Sequence, residues 1–473
     1  MKKHLYIFLA FMIAIASTSH AQSLSQAKTY YNNKEYAKAK PVFKKLAKRY
    51  RSNGKYNYWY GVCCFMTNEK ELAEKHLLVG TNRKIENAFY YLGELYYEQY
   101  KFEDAIKNYE IYIGYQEKRK HDVTELQQRV ELAKQCNRLL KGVVKITFID
   151  SISLDKKDFL SAYHLSKEAG NLSSFQAFFQ TDSAQMSTVY QTEMQNKICY
   201  STYTKEQQFD LFSQNKLLNK WAKPHALSAI NTSANENYPY LLADGLTLYY
   251  ASDGEGSIGG YDIFATRYST NTDSYLKPIN IGMPFNSIYN DYMYVLDEYN
   301  QVGWFATDRN QPEGRVCIYT FLLNDEKEFY NYEKEEHALI RQAALYPTVL
   351  PKESTDPIVL AAKARIKSQQ AAGNTTLKKS SFAFVVTNTK TYYHLSDFKS
   401  AEARQLAKKW ITLSKEWEML KQQLQTNRKR YHQANAAQKA AQKSSLLDLE
   451  NKEIQTAIRL KELAKEIRKA ENK

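Results

Sequence analysis

Glycine and proline are scarce, 16 and 9 among 473 residues, too few for a collagen-like or linker-dominated chain. Cysteine is scarcer. Cys63, Cys64, Cys136, Cys199 and Cys317 are odd in number and match no zinc-ligand spacing. Buried structural thiols are the expected state, with a bridge from Cys63 or Cys64 to Cys136 as the alternative. The nine histidines contain neither His-Glu-x-x-His nor an i, i+4 pair, so no metal site is expected. The glycine-rich run 254–259 lacks the Lys-Ser/Thr of a phosphate loop, and no cofactor is expected. Beyond residue 21 no stretch approaches 18 uncharged apolar residues, which excludes a transmembrane helix from the remainder.

What is present is ordinary in bulk: 43% hydrophobic and 25% charged, which excludes wholesale disorder. The length predicts two to four domains. Tyrosine stands out at 38 residues, a side chain suited to half-buried strands and contact surfaces. The net charge is +15. At the N-terminus Lys2 and Lys3 precede an apolar run from Leu5 to Ala16, and Ser19-His20-Ala21 offers a small-x-Ala cleavage site. Residues 1–21 therefore read as a secretory signal peptide. No cysteine adjoins that site, which argues against a lipid anchor.

Two registers of small residues follow. Ala27, Gly61 and Gly93 are 34 and 32 residues apart, and Ala39, Ala73 and Ala105 repeat the same steps. Tyr30 and Tyr96 lie three after the first small residue; Phe43, Leu77 and Tyr109 lie four after the second. This spacing resembles the tetratricopeptide repeat over residues 24–113, with a degraded middle copy in which Cys64 stands where an aromatic is usual. A helix at about 121–141 would cap the exposed end, as solenoids require. The resemblance implies a concave groove that receives a protein segment.

From Val143 the pattern turns to short alternating runs. Tyr200, Tyr250 and Phe305 recur at steps of 50 and 55, each followed by a second strand ending at Phe212, Phe264 and Tyr319. The run from Ala243-Asp244-Gly245 to Ser252, with Gly259 to Phe264, resembles the TolB-type β-propeller repeat, whose Asp-Gly makes the hairpin turn. Residues 143–325 would hold about four blades by length. Residues 326–380 read as a helical connection. Phe382–Val386 and Thr391–Leu395 read as a hairpin across Asn388, expected to pack on the propeller (381–398).

From Ser400 the spacing of Leu406, Trp410, Leu413, Trp417, Leu420, Leu424 and Tyr431 forms a heptad seam. Residues 399–473 carry 18 Lys+Arg against 9 Asp+Glu. A helical hairpin and a dimerising coiled coil both satisfy the pattern. Attraction to an acidic partner such as lipid phosphates is one use for this charge; nucleic acid is not expected for an exported chain.

The expected fold is multidomain α + β: signal peptide (1–21), α-solenoid with capping helix (22–142), β-propeller (143–325), connection (326–380), β-hairpin (381–398) and basic helical hairpin or coiled coil (399–473). That order resembles exported cell-envelope proteins of the Bacteroidetes type, without the C-terminal peptidoglycan-binding domain of some relatives. The resemblance implies a non-enzymatic scaffold, periplasmic or at the inner face of the outer membrane, binding other envelope proteins. Tyr30, Tyr60, Tyr96, Trp410 and Trp417 are the candidate partner contacts. No catalytic residue is assigned. The alternative is a glycan-binding or glycan-processing propeller built on Asp253, Glu255 and Asp262, because glycoside hydrolysis needs paired carboxylates.

Overall fold

A computed structural model describes residues 23–471 apart from 183–184, 218–219, 270–271, 324–326, 347–356, 373–383, 388–389 and 393. The signal peptide expected at 1–21, and Phe382 and Asn388 of the expected hairpin, lie outside the described residues. The chain divides after Arg138 into two compact units.

The first unit is helical: α1 (Leu24–Asn32), α2 (Tyr36–Arg49), α3 (Gly54–Met66), α4 (Lys70–Asn82), α5 (Glu86–Glu98), α6 (Phe102–Lys118) and α7 (Thr124–Lys141), which runs past the division. The small-residue registers do what their spacing implies. A Cβ built on Gly61 would lie 2.9 Å from Leu77 Cγ, and one on Gly93 would lie 2.6 Å from the Tyr109 ring. Each helix pair therefore closes over a glycine or alanine. The turn inside each pair is also repeated: Lys34, Asn68 and Tyr100 take left-handed backbone (φ 62°, 59° and 59°). The next amide then reaches back to a carbonyl five residues earlier, Glu35 to Tyr30, Glu69 to Cys64 and Lys101 to Tyr96, at 2.8–2.9 Å. The middle pair keeps this geometry although Cys64 has replaced the aromatic. All five cysteines are free and buried, which sets aside the Cys63/Cys64–Cys136 bridge.

The second unit opens on strands: β1 (Phe148–Asp155), β2 (Asn171–Ser174), β3 (Thr188–Gln191), β4 (Lys197–Tyr203), β5 (Phe209–Leu217), β6 (Lys220–Trp221), β7 (His225–Ala226), β8 (Glu236–Leu241), β9 (Thr247–Ser252), β10 (Asp262–Ser269), β11 (Ser274–Tyr275), β12 (Ile279–Asn280), β13 (Asp291–Asp297), β14 (Val302–Thr307) and β15 (Arg315–Leu322). They form three antiparallel sheets built around β3-β4-β5, β8-β9-β10 and β13-β14-β15. The aligned aromatics are cross-strand neighbours in all three. Tyr200 stacks on Phe212, Tyr250 on Phe264 and Phe305 on Tyr319, with centroids 5.9, 6.0 and 5.4 Å apart.

Length alone suggested about four blades, but the described residues hold three such sheets. The segment that would have made a fourth is spent otherwise: β1 pairs with β15 as the outer strand of the last sheet, and residues 156–179 form two 3-10 turns, β2 and the short helix α8 (Phe175–Phe179). The three ladders stay separate. Their inner strands meet in a shared core, where the Tyr190 and Tyr240 rings lie 4.9 Å apart and the Tyr240 hydroxyl donates to the Leu296 carbonyl.

Helices α9 (His337–Leu345) and α10 (Pro357–Ala372) follow, and Val359 and Ala362 of α10 join the core of the sheets. The late hairpin, β16 (Phe384–Thr387) with β17 (Lys390–Tyr392), does not pack its buried side chains there. Phe384, Val386 and Tyr392 instead cluster with Ala403, Ala407, Leu463 and Ile467 of α11 (Ala401–Gln433) and α12 (Ala436–Glu471). These two helices lie antiparallel as a hairpin, so the heptad seam is filled from within one chain. Ser400 caps α11 by accepting from Ala403 N at 3.2 Å, and Glu471 at the far end of α12 accepts from the amides of Lys399 and Ser400.

Candidate functional site

In the helical unit the candidate tyrosines separate by burial. Tyr60 is 4% exposed and packs on the His76 ring at 4.6 Å, so it is core. Tyr30 is half-buried; its hydroxyl accepts from Gln26 Nε2 at 3.3 Å, and the Lys38 amine sits 5.5 Å from its ring. Tyr96 donates to Glu74 at 3.3 Å beneath the Lys101 amine. Burial, then Glu74, pushes its phenol up to about 12.

A different trio converges. Tyr31 of α1 donates to the Tyr58 hydroxyl of α3 at 2.9 Å, and the Tyr58 and Tyr91 rings lie 6.1 Å apart. Burial raises all three phenols. The first helices of three successive pairs thus place hydroxyl-tipped rings side by side. Register reasoning missed this because Tyr31, Tyr58 and Tyr91 occupy three different offsets from the small residues. At the end of the row Arg129 of α7 clamps Glu94 with two bonds, 3.1 and 2.8 Å, and its guanidinium lies 3.8 Å from the centre of the Tyr97 ring.

Two of the three carboxylates of the glycan reading, Asp253 and Asp262, are hydrogen-bonded within the fold. Asp253 accepts from the backbone and side-chain amides of Asn235 at 2.7 and 2.9 Å. Asp262 is fully buried; one oxygen accepts from Ile258 N and Asn280 Nδ2, and the other has no hydrogen-bond partner. Burial, then the charge of Asp291, pushes it up to about 8. Asp253 and Glu255 are both exposed to solvent. Asp253, Glu255 and Asp262 are not among the residues that line the large cavity beside the C-terminal helices.

The sequence missed the device that holds these residues. Asn231-Thr232-x-x-Asn235-Glu236 recurs as Asn286-Ser287-x-x-Asn290-Asp291, 55 residues on. In each, the first asparagine holds both backbone groups of one strand residue, Leu211 or Ile263. The second asparagine is gripped by an aspartate, Asp253 or Asp308. The terminal acid accepts from the Thr or Ser. Asp291 is further paired with the buried Arg309 at 2.7 Å.

Trp410 and Trp417 border a cavity of ≈ 2270 Å³ between the sheets and the α11–α12 hairpin. Trp410 packs edge-on against Phe384 at 5.3 Å; Trp417 donates to Glu453 of α12 at 2.7 Å under the Lys421 amine. Both tryptophans therefore serve the hairpin and its inner wall. On the opposite wall stand three hairpin turns, one from each sheet, carrying Glu193, Asp244 and Glu298.

Among the described residues no group of three or more His, Cys, Asp or Glu is placed to hold a metal, and no helix is long and apolar enough to cross a membrane. No curated protein matches the chain. The tetratricopeptide repeat family model matches residues 23–53 and 87–115, the first helix pair and most of the third. The N-terminal unit is thus similar to tetratricopeptide repeats, which suggests a protein–protein interaction scaffold.

Proposed function

We propose that this chain is a non-enzymatic protein-binding scaffold of the bacterial cell envelope, periplasmic or at the inner face of the outer membrane. The observation that carries the reading is the helical unit, whose successive pairs bring the half-buried Tyr31 and Tyr91 to either side of the buried Tyr58. Rigid tyrosines with a polar tip give large contact area at low entropic cost. A partner's extended or helical segment would lie along this row. The leader-like Lys2, Lys3 and Leu5–Ala16 support export. The repeated stacked pairs and the repeated asparagine motif support reading the three sheets as blades of a TolB-type propeller, with β1 as the closing strand.

Cross-linking in intact cells, followed by mass spectrometry, tests this. Recurrent cross-links from residues 24–118 to the same envelope proteins, lost in a Tyr31→Ala/Tyr91→Ala variant that keeps its helicity, are expected. Cross-links confined to the chain itself, with all protein freely soluble on lysis, would overturn the reading.

A further inference from the structure

The excess positive charge of the C-terminal helices has a counterpart within the same chain. The wall of the cavity formed by the sheets carries Glu168, Glu193, Asp244, Asp273, Glu298 and Glu328, against Lys197 and Lys223. The wall formed by α11 and α12 carries Lys421, Arg428, Lys429, Lys439, Lys465 and Arg468, against Glu418 and Glu453. The apolar cluster shared by the two helices, Leu424, Tyr431 and Leu446, is separate from the core of the sheets.

Polar contacts bridge the walls, and both fall on turns of the second sheet. Arg428, paired with Glu450 at 3.0 Å, donates its Nη1 to the Asp244 carbonyl at 2.9 Å. The side chain of Asp244 is turned inward, capping Leu246 N and Thr247 N at 2.8 Å each, which fixes the peptide whose carbonyl Arg428 takes. Gly245 beside it has φ +70°, and a Cβ there would stand 3.7 Å from Arg428 Nη1. Lys439 pairs with Asp273 in the β10–β11 turn at 2.6 Å; Tyr268 donates to the other oxygen of that carboxylate.

We infer that the turn-bearing, acid-rimmed end of the sheets is a docking face for a basic helix, and that the chain's own α11–α12 hairpin is its resident occupant, held chiefly by charge. A contact of this kind weakens as salt shortens the screening length from ~10 Å at 0.1 M to ~3 Å at 1 M. The hairpin is thereby a displaceable strap over the cavity.

Hydrogen exchange of the full-length protein in 0.05 M and 1 M NaCl tests the inference. In low salt, Lys439→Glu should speed exchange of the amides in 243–246 and 272–275 several-fold, and high salt should do the same to the unsubstituted chain. Asp273→Lys combined with Lys439→Glu should restore protection. Exchange within β9 and the far-UV spectrum report whether the fold is intact, and Lys439→Ala gives a milder variant if the reversal misfolds. Turn amides insensitive to Lys439→Glu, Lys439→Ala and salt would overturn the inference. A low-salt dimer that falls apart in high salt would also overturn it, because the occupant would then be a second copy's helices.

Discussion

Asn286 holds Ile263 with both ends of its amide: Oδ1 accepts from Ile263 N at 2.7 Å and Nδ2 donates to Ile263 O at 2.8 Å. The side chain behaves as one more rung of strand for a residue 23 positions earlier. Asn231 does the same for Leu211. Because Asn286 is fully buried, Asn286→Ala strands one donor and one acceptor, each costing about 1–3 kcal/mol. Urea unfolding of the second unit should show a loss of roughly 2–5 kcal/mol; a loss under ~1 kcal/mol would mean water replaces the amide.

Asp262 gives a pH signature. Its folded-state carboxyl titrates at about 8, against ~4 when unfolded. Between those values the unfolded chain has released a proton that the folded chain keeps, so this group lowers stability as pH rises from ~4 to 8, and no further above. Asp262→Asn should flatten that window, by at most about 1.4 kcal/mol per pH unit. Parallel stability curves for both proteins from pH 4 to 8 would show that Asp262 is ionised in the fold.

The two glycines of the third helix pair should respond oppositely. Gly93→Ala places a methyl against the Tyr109 ring and should cost about 1–3 kcal/mol by overpacking. Gly114 in α6 has no atom within 4 Å of a built Cβ, so Gly114→Ala should be neutral or stabilise by about 0.5–1 kcal/mol. Limited proteolysis of residues 86–118 reads both. Equal behaviour would mean the helices of this pair do not approach over Gly93.

Burial pushes the thiols of Cys63, Cys64 and Cys317 up, to about 12, 11 and 11. The native protein should therefore give almost no reaction with a thiol-directed disulfide reagent at pH 8, and all five cysteines should react after denaturation. Fewer than five on denaturation would reveal a bridge.

The helical repeat was legible because its signal is local. Gly61 opposite Leu77 and Gly93 opposite Tyr109 are contacts inside one pair, written at a fixed spacing. The stacked aromatics of the sheets were legible for the same reason. Sheet number was not, because β1 spends its residues on β15, a pairing that no local period records. The recurrence of the asparagine motif and its hydrogen bonds were missed because the motif lies in the crossings between strands, where alternation of apolar residues carries no information. The position of α11 and α12 depends on Asp244 and Asp273, two turn residues whose carbonyl and carboxylate face Arg428 and Lys439 only after the second sheet has formed. Trp410 and Trp417 lie on α11, whose seam closes within the chain.

The pairing of β1 with β15 also sets an order of assembly. Ser153 and Arg315, joined through the Ser153 carbonyl, are 162 residues apart in the chain. During synthesis β1 emerges first and must wait, unpaired along its edge, until the last strand of the third sheet appears. Such distant closure is slow, and an idle strand edge invites pairing with other chains. Polar residues along this strand, Asp150, Ser151, Ser153 and Asp155, are the kind that keep a waiting edge from recruiting the wrong neighbour.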